Sequence, residues 1–189
     1  FFYELREHLL EVHGAILADG EEADDLMSIA QWESHRRFQQ DTGNEFPLGS
    51  PEHKAFSDTC IVSLDKDLMI VPGWHLQPGQ EKKWVEPMGW LELRRKANGQ
   101  VKDLKGAGLM FHYAQMIIGD DIDNYAGIPG LGAKYTYDLL KDCKTEKELY
   151  MAVLGAYKAK FGHGQVKIKN YRGGYRIGKA FDLMLECGR

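Results

Sequence analysis

The stretch Thr59-Cys60-Ile61-Val62-Ser63-Leu64-Asp65-Lys66-Asp67 governs how the rest of the chain is read. Its apolar, β-branched run has the pattern of a buried strand, and it stops abruptly at two carboxylates. If the chain stays extended, Asp65 and Asp67 share one face and Lys66 points away. In open α/β sheets the ligand site lies beyond the carboxyl ends of the strands, which is where Asp65 falls.

Two more carboxylate clusters follow short apolar runs. Glu21-Glu22-Ala23-Asp24-Asp25 comes after Ala15-Ile16-Leu17-Ala18, and Asp120-Asp121-Ile122-Asp123 comes after Met116-Ile117-Ile118-Gly119. Within a helix starting near Gly20, Glu22 and Asp25 share a face and Asp24 does not. Asp120 and Asp123 repeat the i, i+3 spacing at the C-terminal end of a helix, where the dipole disfavours carboxylates unless something positive is near. Taken singly, these are most often a helix cap, an exposed turn and a second cap. Together they place carboxylates at the ends of three core elements, where they repel one another and lose hydration. A fold that gathers them normally supplies a cation, and Mg²⁺ or Mn²⁺ suits an all-oxygen donor set.

Working outward, Phe1 to Val12 has helical spacing and Gly14 stops it, Gly14 to Ala18 reads as a short buried strand, and Glu21 to about Trp32 reads as a helix. Glu33 to Asp58 is polar and punctuated by Pro and Gly, as a loop or inserted excursion would be. Leu68 to Val71 follows the key strand, and Trp74 to Val101 reads as a short ribbon. Leu109 to Ile118 is a buried helix, followed by helices near Lys134 to Leu140, Glu146 to Phe161 and Tyr175 to Leu185. Strands alternating with helices imply an α/β layered fold with a parallel sheet and a helical C-terminal portion.

At 189 residues and 43% hydrophobic content the chain can bury one core. A net charge of −4 argues against a uniformly basic nucleic-acid coat, yet Leu149 to Phe181 holds seven Lys/Arg and no Asp or Glu. Three widely spaced cysteines, Cys60, Cys143 and Cys187, do not suggest a disulfide framework and fit a reducing cytosol. No apolar stretch reaches the roughly 18 to 20 residues of a membrane helix. The histidines lack zinc-type spacing, and no Ser-His-Asp or Cys-His arrangement can be assembled.

Gly127-Ile128-Pro129-Gly130-Leu131-Gly132 runs into Ala133-Lys134, a tight turn at a helix N-terminus where free N–H groups favour a phosphate. It is not a P-loop, because Ala133 stands where GxxxxGK requires Lys, and Tyr135 breaks GxGxxG. Apolar-Pro-Gly-apolar-Gly between helices looks like a helix-hairpin-helix turn that grips DNA backbone, although a structural αα-hairpin is the commoner source of such a pattern. Lys158, Lys160, Lys167, Lys169, Arg172, Arg176 and Lys179, interleaved with Tyr157, Phe161, Tyr171 and Tyr175, would extend a backbone-binding track.

In order, Glu22-Ala23-Asp24-Asp25, Leu64-Asp65-Lys66-Asp67 and Gly119-Asp120-Asp121-Ile122-Asp123-Asn124 leading into the glycine turn make the chain resemble the 5′→3′ exonuclease and flap endonuclease family. Within that family it is most similar to tailed-phage 5′-exonucleases and the nuclease domain of bacterial DNA polymerase I. The resemblance covers roughly Phe1 to Leu140. It implies a PIN-like parallel-sheet nuclease core over 1–118 and a helix-hairpin-helix (H3TH) DNA-binding region with a basic tail over 119–189. It implies hydrolysis of DNA phosphodiesters at 5′ ends or 5′ flaps by a two-metal mechanism. The ions would be held by Glu22, Asp24, Asp25, Asp65, Asp67, Asp120 and Asp123. DNA contacts would come from Gly127, Gly130, Gly132, Lys134, Lys167, Lys169, Arg172 and Arg176, with K⁺ at the hairpin in some members.

The implied partners are duplex 5′ ends, flaps and RNA–DNA hybrids, met by a monomer in phage-infected or bacterial cytosol. The family's first strand, with an early Asp, and a further Asp before its helical arch would lie upstream of Phe1. The expectation is therefore a nuclease core missing its N-terminal part, and slow or no cleavage by Phe1 to Arg189 alone. Glu33 to Asp58 is longer than the family's usual connection. Two other readings stay open: a noncatalytic, structure-specific DNA-binding module, and a Mg²⁺-dependent ribonuclease of related acidic-cluster type.

Overall fold

The computed structural model describes residues 1–120, 126–169 and 174–187. The fold is mixed α/β, with small sheets and several helices. The key strand is β1 (Cys60–Val62), which pairs in parallel with β2 (Gly73–Leu76); β2 pairs antiparallel with β3 (Lys83–Val85). Among the described residues β1–β2 is the one parallel pair, so the expected parallel sheet is reduced to a single ladder. The Trp74 to Val101 ribbon resolves into β2, β3 and β4 (Trp90–Arg95), the last paired antiparallel with β5 (Val101–Ala107).

The first helix, α1 (Phe2–His13), ends at Gly14 in a left-handed cap, as its sequence suggests. Gly14 to Ala18 is not a strand. Among the described residues the segment has no ladder partner, and Ile16 is 89% exposed. An apolar run forms a strand only where another edge accepts its N–H and C=O groups.

The second helix, α2 (Ala23–Asp41), runs nine residues past Trp32 into what reads as loop. Its buried face is Gln31, Ser34 and His35, so hydropathy gives no sign of it. Ser50, which accepts from His53 N, and Pro51 start the short helix α3 (Pro51–Phe56), a cap-plus-proline signal inside the presumed excursion.

These two helices meet β2 through a polar core. Gly49 N–H donates to His53 Nδ1 at 3.0 Å, His53 Nε2 and His35 Nδ1 are 2.7 Å apart, and His35 Nε2 lies 2.8 Å from Pro72 O. A carbonyl only accepts, so His35 carries its proton on Nε2. His53 must then donate from Nε2 and accept on Nδ1. Both rings are neutral and every ring nitrogen is used. Gln31 Nε2 adds a bond to Pro72 O at 2.9 Å.

Leu68 to Val71 is a 3-10 turn (Asp67–Ile70) rather than a strand. With Ile61, Leu68 and Val71 buried and Met27 and Ile70 packed against them, it forms a small second core. The larger core is built by α4 (Gly108–Ile118), α5 (Ala133–Leu140), α6 (Glu146–Phe161) and α7 (Ala180–Cys187) around Ile117, Ile128, Leu140, Leu149, Val153 and Met184. Each such fully buried aliphatic contributes about 1.5–3 kcal/mol. Tyr157 Oη donates to Met116 O at 2.7 Å and locks α6 onto α4. A capping box on Thr145 and Glu148 starts α6 where the sequence places it. The Tyr175 to Leu185 segment is a strand followed by a helix: β7 (Tyr175–Gly178) pairs antiparallel with β6 (Val166–Lys169), and α7 begins at Ala180.

Candidate functional site

The three acidic clusters are carried by α2, the β1 exit loop and the end of α4. In the exit loop Asp65 N donates to Ser63 Oγ at 3.0 Å and Asp67 N donates to Asp65 Oδ1 at 2.9 Å. This turn leaves Asp65 exposed and Asp67 half-buried. Gln115 on α4 donates from Nε2 to Asp67 Oδ1 at 3.2 Å. Four residues later, a rise of about 6 Å, Gly119 ends α4 with φ +79° and half-buried Asp120 follows. The second and third clusters therefore approach the same end of α4.

The first cluster is presented differently from the sequence expectation. Glu22 is the N-cap of a regular first turn, and Glu21, Glu22 and Asp25 are exposed. Asp24 is half-buried and lies three residues before Met27, which packs on the Ile61, Leu68 and Val71 core. Helical spacing thus places Asp24, Met27 and Gln31 on the packed side. Asp24, rather than the Glu22 and Asp25 pair, is turned toward the sheet.

Asp121 and Asp123 lie outside the described residues. Among the described residues no group of three or more His, Cys, Asp or Glu side chains is gathered closely enough to hold one ion.

The glycine turn abuts the third cluster. A Cβ on Gly127, whose φ is +58°, would fall 2.5 Å from Gly119 N, and Ile128 N donates to Ile117 O at 2.7 Å. Only glycine permits that approach. Leu131 N donates to Ile128 O at 3.0 Å, Gly130 has φ +87°, and Gly132 is the N-cap of α5. A Cβ on Gly132 would meet nothing within 4 Å, so the start of α5 is open on that side. Over the turn hangs Lys160, whose Nζ would be 3.9 Å from a Cβ at Gly130. Lys134 is engaged with Asp138 at 2.6 Å, and this hydrogen bond holds the Asp138 carboxyl below its usual range.

The basic track is described in part. Lys158 and Lys160 are exposed in the last turn of α6, and Lys167 Nζ sits 4.1 Å from the Tyr175 ring centroid. Lys169 and Arg176 fall on β6 and β7, with side chains outside the description, and Arg172 lies outside the described residues.

Two features escape sequence reading. Gln115 is a lone amide in the apolar helix Gly108–Ile118, which is the signal that could have found it. Nearby, Tyr113 Oη donates to Glu146 Oε1 at 3.3 Å, and burial followed by the Glu146 charge pushes the phenol up to about 12. The His35 and His53 pair is the second, and it has no spacing signature because its members come from different helices. Compared with known protein families, characterised proteins and solved structures, the chain finds no match.

Proposed function

We propose that this protein is a metal-dependent phosphodiesterase acting on DNA, of the 5′→3′ exonuclease and flap endonuclease type. One observation carries the reading: Asp67, the residues leading into Asp120, and the Gly127 to Gly132 turn converge on the C-terminal end of α4, tied by the Gln115 to Asp67 bond and by the contact of Gly127 with Gly119. Carboxylates approaching an open glycine turn under a lysine suit a phosphodiester, whose phosphates need cations and N–H donors together.

Asp24, Asp65, Asp67 and Asp120 offer only carboxylate oxygens, the donor type that suits Mg²⁺ or Mn²⁺; among the described residues no three of them are gathered round one point, so an ion would have to draw them together. When bound, such ions activate water and offset the charge that builds on the phosphoryl group. The chain's own contributions are positional. Gln115 orients the Asp67 carboxylate through its bond to Oδ1, while the Asp65 turn holds that loop in register. The N–H groups of the glycine turn, with Lys160 and Lys134, hold a backbone phosphate and set the strand's direction across the carboxylates.

The test is a cleavage assay on 5′-labelled duplex, 5′-flap and single-stranded RNA, with Mg²⁺ or with EDTA. Mg²⁺-dependent release from the duplex or flap is expected. Cleavage confined to RNA would replace the reading with a ribonuclease, and DNA binding without hydrolysis would replace it with a noncatalytic module.

A further inference from the structure

The β2–β3 ribbon carries a group of aromatic and cationic side chains that the proposed cleavage site does not use. Trp74 and Trp84 are cross-strand partners, their rings 5.3 Å apart and edge to face at 74°. Trp74 Nε1 donates to Lys54 O at 3.2 Å, which fixes that indole against α3. Both rings are half-exposed. Lys82 Nζ stands 4.1 Å from the Trp74 centroid, and Lys54 Nζ stands 5.4 Å from Trp74 and 5.9 Å from Trp84. Lys83 is on the same ribbon and donates to Gln80 Oε1 at 3.4 Å.

Among the described residues none of these three exposed ammonium groups pairs with a carboxylate. Glu86, the nearest acid after β3, turns its Oε2 toward Gly49. In a chain of net charge −4, three unpaired lysines around two indoles mark a surface complementary to a polyanion with flat aromatic groups.

We propose that this ribbon is a docking platform for single-stranded nucleic acid, with a base stacking on Trp74 and the flanking phosphates meeting Lys54, Lys82 and Lys83. The lysines now over the rings are exposed, and an exposed cation–π contact is weak beside base stacking, so an incoming base displaces them onto phosphate. Direction follows from register. Trp74 lies opposite Cys60, and β1 and β2 run parallel with Ser63 N donating to Leu76 O at 3.2 Å, so both strands end on the side where Asp65 emerges. From Trp74 to the end of β2 is about 7 Å. A strand on the platform is therefore close to the end of the sheet that bears Asp65 and Asp67. This inference rests on the nucleic-acid reading above and adds a path for the unpaired strand.

The test uses the full chain in EDTA with a short oligothymidylate, read by quenching of indole fluorescence and by anisotropy of a labelled oligonucleotide. Lys82→Glu, at an exposed side chain, should weaken binding about tenfold. Trp74→Ala should weaken it by a similar factor and Trp74→Phe should recover most of it, which a merely electrostatic patch would not do. Unchanged affinity in Lys82→Glu, or equal binding of an abasic chain of the same length or of heparin, overturns the platform. If the variants weaken binding as expected but no DNA is cleaved in Mg²⁺, the nuclease reading alone fails. If flaps are cleaved and both variants bind and cleave as the unaltered protein does, the platform alone fails.

Discussion

Acid should loosen the α2–α3 unit, and His53 supplies the main reason. The ring is 0% exposed, accepts from Gly49 N–H and donates to His35 Nδ1, an arrangement that uses only the neutral form. Burial, followed by the charge of His35, lowers its pKa to about 4. His35 is also lowered, by burial, with Pro72 O and Asp58 opposing. Between pH 6.5 and about 4 the unfolded chain holds a proton on His53 that the folded chain does not, so stability is intact above 6.5 and falls as the pH drops through that window. For the full shift the loss by pH 5 is about 2 kcal/mol; solvent screening beside exposed Lys54 and the Arg37–Asp58 pair reduces this to roughly 1 kcal/mol. Urea denaturation at pH 7.5 and pH 5 should then show the midpoint falling by about 0.5 M. His75 and His112 are lowered by burial as well and add slope of the same sign, so the decisive comparison is His53→Gln. That variant should be less stable at pH 7.5 and lose less between the two pH values. An unchanged pH slope in His53→Gln would refute the assignment.

The remaining predictions concern the α4 end. Asp67→Asn and Asp120→Asn should lower Mg²⁺-dependent hydrolysis by orders of magnitude with DNA affinity nearly kept, as filter binding and single-turnover cleavage would report; full activity in both would remove the carboxylates from the chemistry. Gln115→Leu should keep the fold yet raise the Mg²⁺ concentration needed for half-maximal rate, about tenfold or more, because Asp67 loses the partner at 3.2 Å that orients it. Lys160→Ala should weaken DNA binding to a similar degree across sequences and flatten the salt dependence of affinity by about one counterion, and an unchanged slope would detach Lys160 from the phosphate path. Gly127→Ala should cost roughly 2–4 kcal/mol in thermal or urea unfolding, since the new methyl would sit 2.5 Å from Gly119 N at φ +58°.

Read from sequence alone, the elements with local signals come out nearly as built. The termini of α1, α4, α5 and α6 are carried by Gly14, Gly119, Gly132 and the Thr145 capping box, and β1 by its β-branched run. The ordered acidic clusters and the glycine turn are likewise plain in the chain, because residue type and spacing are local properties. What the tertiary structure decided is which of them meet. Asp24 is turned inward by the helical phase of α2, which is set by a buried face of Gln31, Ser34 and His35 that hydropathy cannot reveal. Ala15 to Ala18 is apolar enough for a strand but finds no edge to pair with among the described residues, and strand formation is settled by the partner. The Gln115 to Asp67 bond, the Gly127 to Gly119 approach, the His53 to His35 pair and the Trp74 and Trp84 ribbon join residues 48, 8, 18 and 10 apart. Such contacts depend on the path of the backbone between their members, which no local pattern encodes.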